Sequence, residues 1–265
     1  MISALLRRRR RFVIVLAVLL LALVAATAVL AMGGSADVVV YNGRSQYGDE
    51  QWWGMSLRIR TPMRSTERVS EDAIKTYEDL GKPEFKGKLC LRTSNNEYNQ
   101  SFVADRIAKH GAADTEKLLR SWMANRPQIL GSDVDVLEAI AAGRCDAGLT
   151  NHYYLGRILK EKPDFPVAPA WPDQDGAGAH TNLSGVGLVK GSGHKADAVS
   201  LMEYLTSRPA QEEIVKNAEL AANPDVPPAE HIRDWADVEL DPIDVERAGP
   251  NLAAAVELMQ RVGWE

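Results

Sequence analysis

The chain holds 265 residues, with 45% apolar and 25% charged side chains, 13 Pro and 20 Gly, which fits one large globular domain or two small ones. These values exclude collagen, low-complexity disorder and a disulfide-dense mini-protein, and a single spanning-length apolar stretch excludes a polytopic membrane protein. The net charge of −5 is unevenly spread: residues 7–11 carry +5 and residues 12–36 carry none, which leaves −10 on the body and no basic face for nucleic acid.

The amino terminus reads as an address. Five arginines precede residues 12–32, an uncharged and almost wholly apolar run. A positive stretch followed by an apolar one is the export pattern, and this run reaches the roughly 20 residues a helix needs to cross a bilayer. Residues 1–36 are therefore expected to be a signal peptide or a retained membrane-anchoring apolar helix. The arginines stay cytoplasmic and the acidic body lies outside. No cysteine stands near residue 32, which excludes a lipid-modified amino terminus. Cys90 and Cys145 read equally as a disulfide across two neighbouring strands or as two buried thiols.

Apolar runs then alternate with helical patterns, the mark of an α/β fold. Residues 37–41 and 88–93 are expected strands, and Phe102, Val103 and Ile107 mark a helix after the second. Residues 128–130 lead into a helix over 134–142 that ends at Gly143, a natural residue just past a helix end. Residues 146–150 form another strand, after which Asn151 is expected to cap a helix bearing Tyr154, Leu155, Ile158 and Leu159. A short strand over 185–189, helices over 196–206 and 209–217, a Pro- and Asp-rich surface wrap over 223–250 and a closing helix over 253–262 complete the chain. Trp52 and Trp53 read as core or hinge packing, and His152 as pointing to the surface or to a partner behind the site.

Three units repeat one grammar of strand, short polar turn and helix start. They end at Leu91-Arg92-Thr93-Ser94-Asn95-Asn96, Leu130-Gly131-Ser132-Asp133 and Leu149-Thr150-Asn151-His152-Tyr153-Tyr154. In a parallel sheet such turns share the carboxyl edge, where ligands bind and helix N–H groups favour anions. Ser94, Asn96, Ser132 and Asn151 are then ordinary helix caps or donors converging on one anion. Tyr153 and Tyr154 project about 100° apart at a helix start. As a bare pair they read first as packing and second as hard phenolate oxygens suited to Fe(III).

From Trp53 onward the chain resembles the ferric-iron-binding solute receptors of bacterial ABC importers. The resemblance lies in Trp53-Gly54-Met55-Ser56-Leu57-Arg58-Ile59-Arg60, in Tyr77-Glu78-Asp79-Leu80 with Phe85-Lys86-Gly87-Lys88, and above all in Asn151-His152-Tyr153-Tyr154-Leu155. It continues in Asn182-Leu183-Ser184-Gly185-Val186-Gly187 and Pro209-Ala210-Gln211-Glu212, with residues 40–47 resembling the first strand and loop.

The resemblance implies a two-lobed fold of the periplasmic-binding-protein type (type II), with crossover strands between lobes. Lobe 1 would be residues 37–59 and 184–234, and lobe 2 residues 60–183 and 235–265. It implies Fe(III) held in the cleft by Tyr47, Tyr153 and Tyr154, with Gln46 where other members carry histidine. A carbonate or phosphate co-anion would be held by Arg60 (or Arg58), Ser94, Asn95, Asn96, Ser132, Asp133 and Asn151. Only four residues separate Tyr47 from Trp52, where the family builds several βα units, so lobe 1 is expected to be truncated. A unit that small buries only about 60% of its unfolded surface. Arg64 stands where some members carry a ligand tyrosine.

The implied partners are an importer permease and, with an uncleaved segment, the membrane; the implied location is periplasmic or extracytoplasmic. Enzyme motifs such as Gly-x-Ser-x-Gly, His-Glu-x-x-His and Cys-x-x-Cys are absent from the sequence. The alternatives are a receptor for a small anion (a phosphate ester or sulfonate) without iron, and a membrane-anchored interaction module that does not transport.

Overall fold

One strand, β1 (Trp52–Ser65), serves two regions of sheet in succession. Its first half, as far as Ile59, pairs antiparallel with β6 (Ala179–Gly187), and from Arg60 it pairs antiparallel with β4 (Ala147–Asn151). The computed structural model describes residues 52–265; the expected signal or anchor, the strand over 37–41, Gln46 and Tyr47 lie outside them. Among the described residues no helix is long and apolar enough to cross a membrane.

The sheet runs β3-β2-β4-β1-β6-β8, with β2 (Leu89–Arg92), β3 (Gln128–Leu130) and β8 (Leu240–Pro242) completing the path. Two short strands, β5 (Val167–Pro169) and β7 (Leu220–Ala221), also pair with β1. Strands β3, β2 and β4 are mutually parallel, so their following turns share one edge.

Both faces of that parallel part are covered, as alternation along the strands demands. Leu89 and Leu91 of β2 and Ala147 and Leu149 of β4 pack with α1 (Glu97–His110), α2 (Ala112–Ala124) and α8 (Leu252–Arg261), through Phe102, Trp122, Leu258 and Trp264. Cys90, on the opposite face, packs with α3 (Asp133–Ala141) and α4 (His152–Glu161) through Val136, Leu137, Ile140 and Leu155. Gly148 permits the close approach of α3, because a Cβ there would come within 2.5 Å of Val136 and 2.8 Å of the Cys90 carbonyl oxygen. α3 ends one residue before Ala142, and Gly143 follows at φ 74°, a left-handed conformation that glycine adopts at little cost.

After β6 come α5 (Lys195–Thr206), α6 (Arg208–Val215), a 3₁₀ segment (Glu230–Asp237) and α7 (Val245–Ala248). Three expectations are corrected here. The strand expected over 185–189 runs from Ala179 to Gly187, because residues 179–181 pair with β8 and residues 181–187 with β1. The expected surface wrap buries Ile232 and Trp235 against α4, so only part of it is solvated. Trp53 is 39% exposed on β1 and is not core packing.

Cys90 and Cys145 form a disulfide at a Cα–Cα separation of 5.8 Å, which settles the open choice between bridge and thiols. It closes a 55-residue separation, for which chain entropy gives a ceiling of about 4 kcal/mol. Replacing Cys90 and Cys145 together by alanine is expected to lower the unfolding free energy by about 2–4 kcal/mol in urea denaturation; an unchanged midpoint and slope would contradict this.

Candidate functional site

The three turns at the carboxyl edge are drawn together from below by one side chain. Arg60, 1% exposed, donates from Nε and Nη2 to Asn99 Oδ1 at 3.0 and 2.6 Å. Its Nη1 reaches Asp133 Oδ1 at 3.1 Å and Asn151 Oδ1 at 3.0 Å, and Nη2 also meets the Leu149 carbonyl. Asn99 belongs to α1, Asp133 opens α3 and Asn151 ends β4, so one guanidinium touches all three strand-turn-helix units. A buried charge requires such saturation. Asp133 is itself fully buried and accepts a second ion pair from Arg92 Nη1 at 2.9 Å.

Several residues expected to hold an anion are thereby committed elsewhere. Arg60 is spent on protein acceptors. Asp133 is ion-paired with two arginines. Asn96 caps α1, accepting from the N–H groups of Tyr98 and Asn99, and Ser132 caps α3, accepting from Asp135 N–H at 3.0 Å. Asn151 stands at the cap position of α4 but makes no capping bond, because its oxygen belongs to Arg60. Ser94 is half-buried at the rim, and Asn95 is exposed with its oxygen accepting from Thr93 Oγ1. Tyr47 lies outside the described residues, and Arg64 donates to the Val69 carbonyl away from the tyrosines.

Above this node stand the phenols. Tyr153 is buried and Tyr154 half-buried, with ring centroids 4.2 Å apart. The structure adds a third that the sequence reading missed: Tyr98 Oη lies 3.1 Å from Tyr153 Oη. Tyr98 stands two residues after its cap Asn96, as Tyr153 stands two after Asn151, and this shared spacing was the available signal. Burial, with the Tyr154 and Tyr98 hydroxyls beside it, pushes the Tyr153 phenol far above its ordinary value. Such a group stays protonated until a cation takes the proton's place.

Cations ring the phenols. The Arg58 guanidinium lies 5.4 Å from the Tyr98 ring centroid and the Arg157 guanidinium 4.8 Å from that of Tyr153. The Tyr154 hydroxyl faces Arg92. Arg58 is 5% exposed, its Nε has no hydrogen-bond partner, and no carboxylate pairs with it among the described residues. A buried cation in that state fits an anionic partner.

Of the two positions expected for His152, the structure shows the one behind the site: it is fully buried behind Tyr153. Its Nδ1 accepts the Ile59 N–H at 3.0 Å, and burial pushes the imidazole down to about 3. Its unfolded value is near 6.5, so the unfolded chain binds the extra proton between these limits. The unfolding free energy is therefore expected to fall as pH drops from about 6.5 toward 3. Urea denaturation across that range checks it, and a flat profile between pH 6.5 and 5 would contradict it. Arg60→Met, which strands the Asn99 and Asn151 oxygens, is expected to cost about 3–5 kcal/mol by the same method.

Residues 36–237 match the family described as bacterial extracellular solute-binding proteins. The chain is similar to iron uptake protein A1 of Synechocystis sp., with 34% identity over 227 residues covering 82% of this chain and 62% of that protein. Iron uptake protein A2 of the same organism is 32% identical over 83% of this chain and 66% of that protein. The chain thus spans less than two thirds of the length of either. A Trichodesmium protein solved in complex with iron and citrate superposes with a TM-score of 0.77 at 34% identity, covering 88% of this chain and 76% of that one. This chain belongs to the bacterial extracellular solute-binding proteins.

Proposed function

We propose that this protein is an extracytoplasmic receptor that binds Fe(III) and delivers it to the permease of an ABC importer. The observation that carries the reading is the convergence of Tyr98, Tyr153 and Tyr154 on one point at the carboxyl edge of the sheet, ringed by arginines. Phenolate is a hard anionic oxygen, and a trivalent cation is the charge that three such oxygens would neutralise. The named iron proteins among its relatives support the same cargo.

In this reading the empty-handed site holds its phenols protonated, and binding of the ion releases those protons. Arg58, the alternative to Arg60 in the sequence expectation, then supplies the counter-charge for a small co-anion such as carbonate, phosphate or a carboxylate. Tyr47, implied by the resemblance, would join this shell. Residues 37–59 with 184–234 and residues 60–183 with 235–265 form the two lobes, and the change of partner in β1 between Ile59 and Arg60 marks a hinge consistent with that division. A receptor for a small anion without iron is the second reading, favoured by the buried Arg58, which no carboxylate pairs among the described residues.

Titration with weakly chelated ferric ion separates the two. The ferric reading expects a visible tyrosinate-to-iron charge-transfer band that saturates at one equivalent. Tyr154→Phe, Tyr153→Phe and Tyr98→Phe should each abolish or strongly weaken it. An anion-only site tolerates all three substitutions and shows no band.

A further inference from the structure

The β1–β4 ladder stops at the pair Arg60 and Asn151, where β4 turns into α4. The pairs Thr61 with Thr150 and Arg60 with Asn151 fix the register, so the residue that would face Ile59 next is His152. No backbone carbonyl is offered there, because His152 is already the first residue of the helix. A buried N–H must still be satisfied. The His152 side chain does so: its Nδ1 takes the Ile59 N–H at 3.0 Å.

The same ring is edge-on to Tyr153, at 6.1 Å and 90° between planes, and to Trp235, at 5.9 Å and 69°. Trp235 belongs to the 3₁₀ segment, which holds α4 a second time through His231 Nε2 and the Gly156 carbonyl at 2.9 Å. Gly156 is packed so closely that a Cβ would lie 2.6 Å from Ala218 Cβ. One imidazole thus ties the crossing strand, the start of the tyrosine helix and the segment behind it.

We propose that His152 is a positioning residue of the site, whose side chain extends the β1–β4 ladder by one step and fixes Tyr153 and Tyr154 relative to the strand that bears Arg58. The bond sits where β1 changes partners, so movement of one sheet region against the other is transmitted to the tyrosine helix through it. The consequence for metal binding rests on the ferric reading above, whereas the ladder step does not.

The test uses the full chain with His152→Phe, which keeps a ring but offers no acceptor, and His152→Asn, whose side-chain oxygen can replace Nδ1. His152→Phe should lose amide-exchange protection at Ile59, while the other β1–β4 amides keep theirs, and should change the near-ultraviolet circular dichroism of the stacked tyrosines. Its ferric affinity should fall about tenfold or more, as for other groups that orient metal ligands. His152→Asn should recover both the protection and most of the affinity. Where His152→Phe fails to fold, His152→Ala against His152→Asn carries the same comparison. Unchanged Ile59 protection in the variant without an acceptor would overturn the proposal, as would wild-type affinity and dichroism despite lost protection. Absence of a ferric band in the wild-type chain would remove the ferric reading; the positioning role would then be decided by Ile59 exchange and the tyrosine dichroism.

Discussion

The buried guanidinium of Arg60 is the constraint on which the arrangement depends. Three helices start at the same edge of the sheet, and each start is polar and costly to bury. Arg60 rises from the antiparallel strand and satisfies Asn99, Asp133 and Asn151 at once, so the three starts can pack together without orphaned oxygens. The charge is compensated by Asp133, which Arg92 also holds from the rim. Behind the node, the Cys90–Cys145 bridge ties β2 to the segment leading into β4, and Gly148 lets α3 lie close over both. The edge is rigid because the charges, the bridge and the packing fix the same three elements.

That rigidity makes the phenol cluster intelligible. Tyr98 and Tyr153 approach within hydrogen-bond distance, and burial with the neighbouring hydroxyls favours the neutral form of Tyr153. Only a strong cation reverses this, and a hard trivalent ion suits all-oxygen donors better than the softer divalent metals that prefer imidazole or thiolate. The surrounding arginines would limit the accumulated negative charge, and in the proposed reading Arg58 is the one that meets a co-anion. Fixed donors also lower the entropic cost of assembling a coordination shell.

Much of this was legible in the sequence. The runs around Leu89–Leu91, Gln128–Leu130 and Ala147–Thr150, each followed by a polar turn, gave the parallel strands and their common edge. Asn151-His152-Tyr153-Tyr154 marked the tyrosine pair. The rest depended on contacts distant in the chain. Arg60 reads as a free cation until its partners, 39 to 91 residues away, are seen to surround it. Asn151 reads as a cap until Arg60 takes its oxygen. For His152 the sequence left open the surface and a partner behind the site, and only strand register against Ile59 decides for burial. Tyr98 was hidden because a tyrosine in the first helical turn is unremarkable singly; only its equal offset from an asparagine cap links it to Tyr153.

The central claim is that several phenols surrender their protons to one cargo ion. Ultraviolet difference spectroscopy on addition of one equivalent of ferric ion counts the tyrosines that ionise, among the seven in the chain. The account predicts at least three, from Tyr98, Tyr153 and Tyr154, complete at one equivalent. Ferric binding with no tyrosine ionised, or with only one, would contradict it.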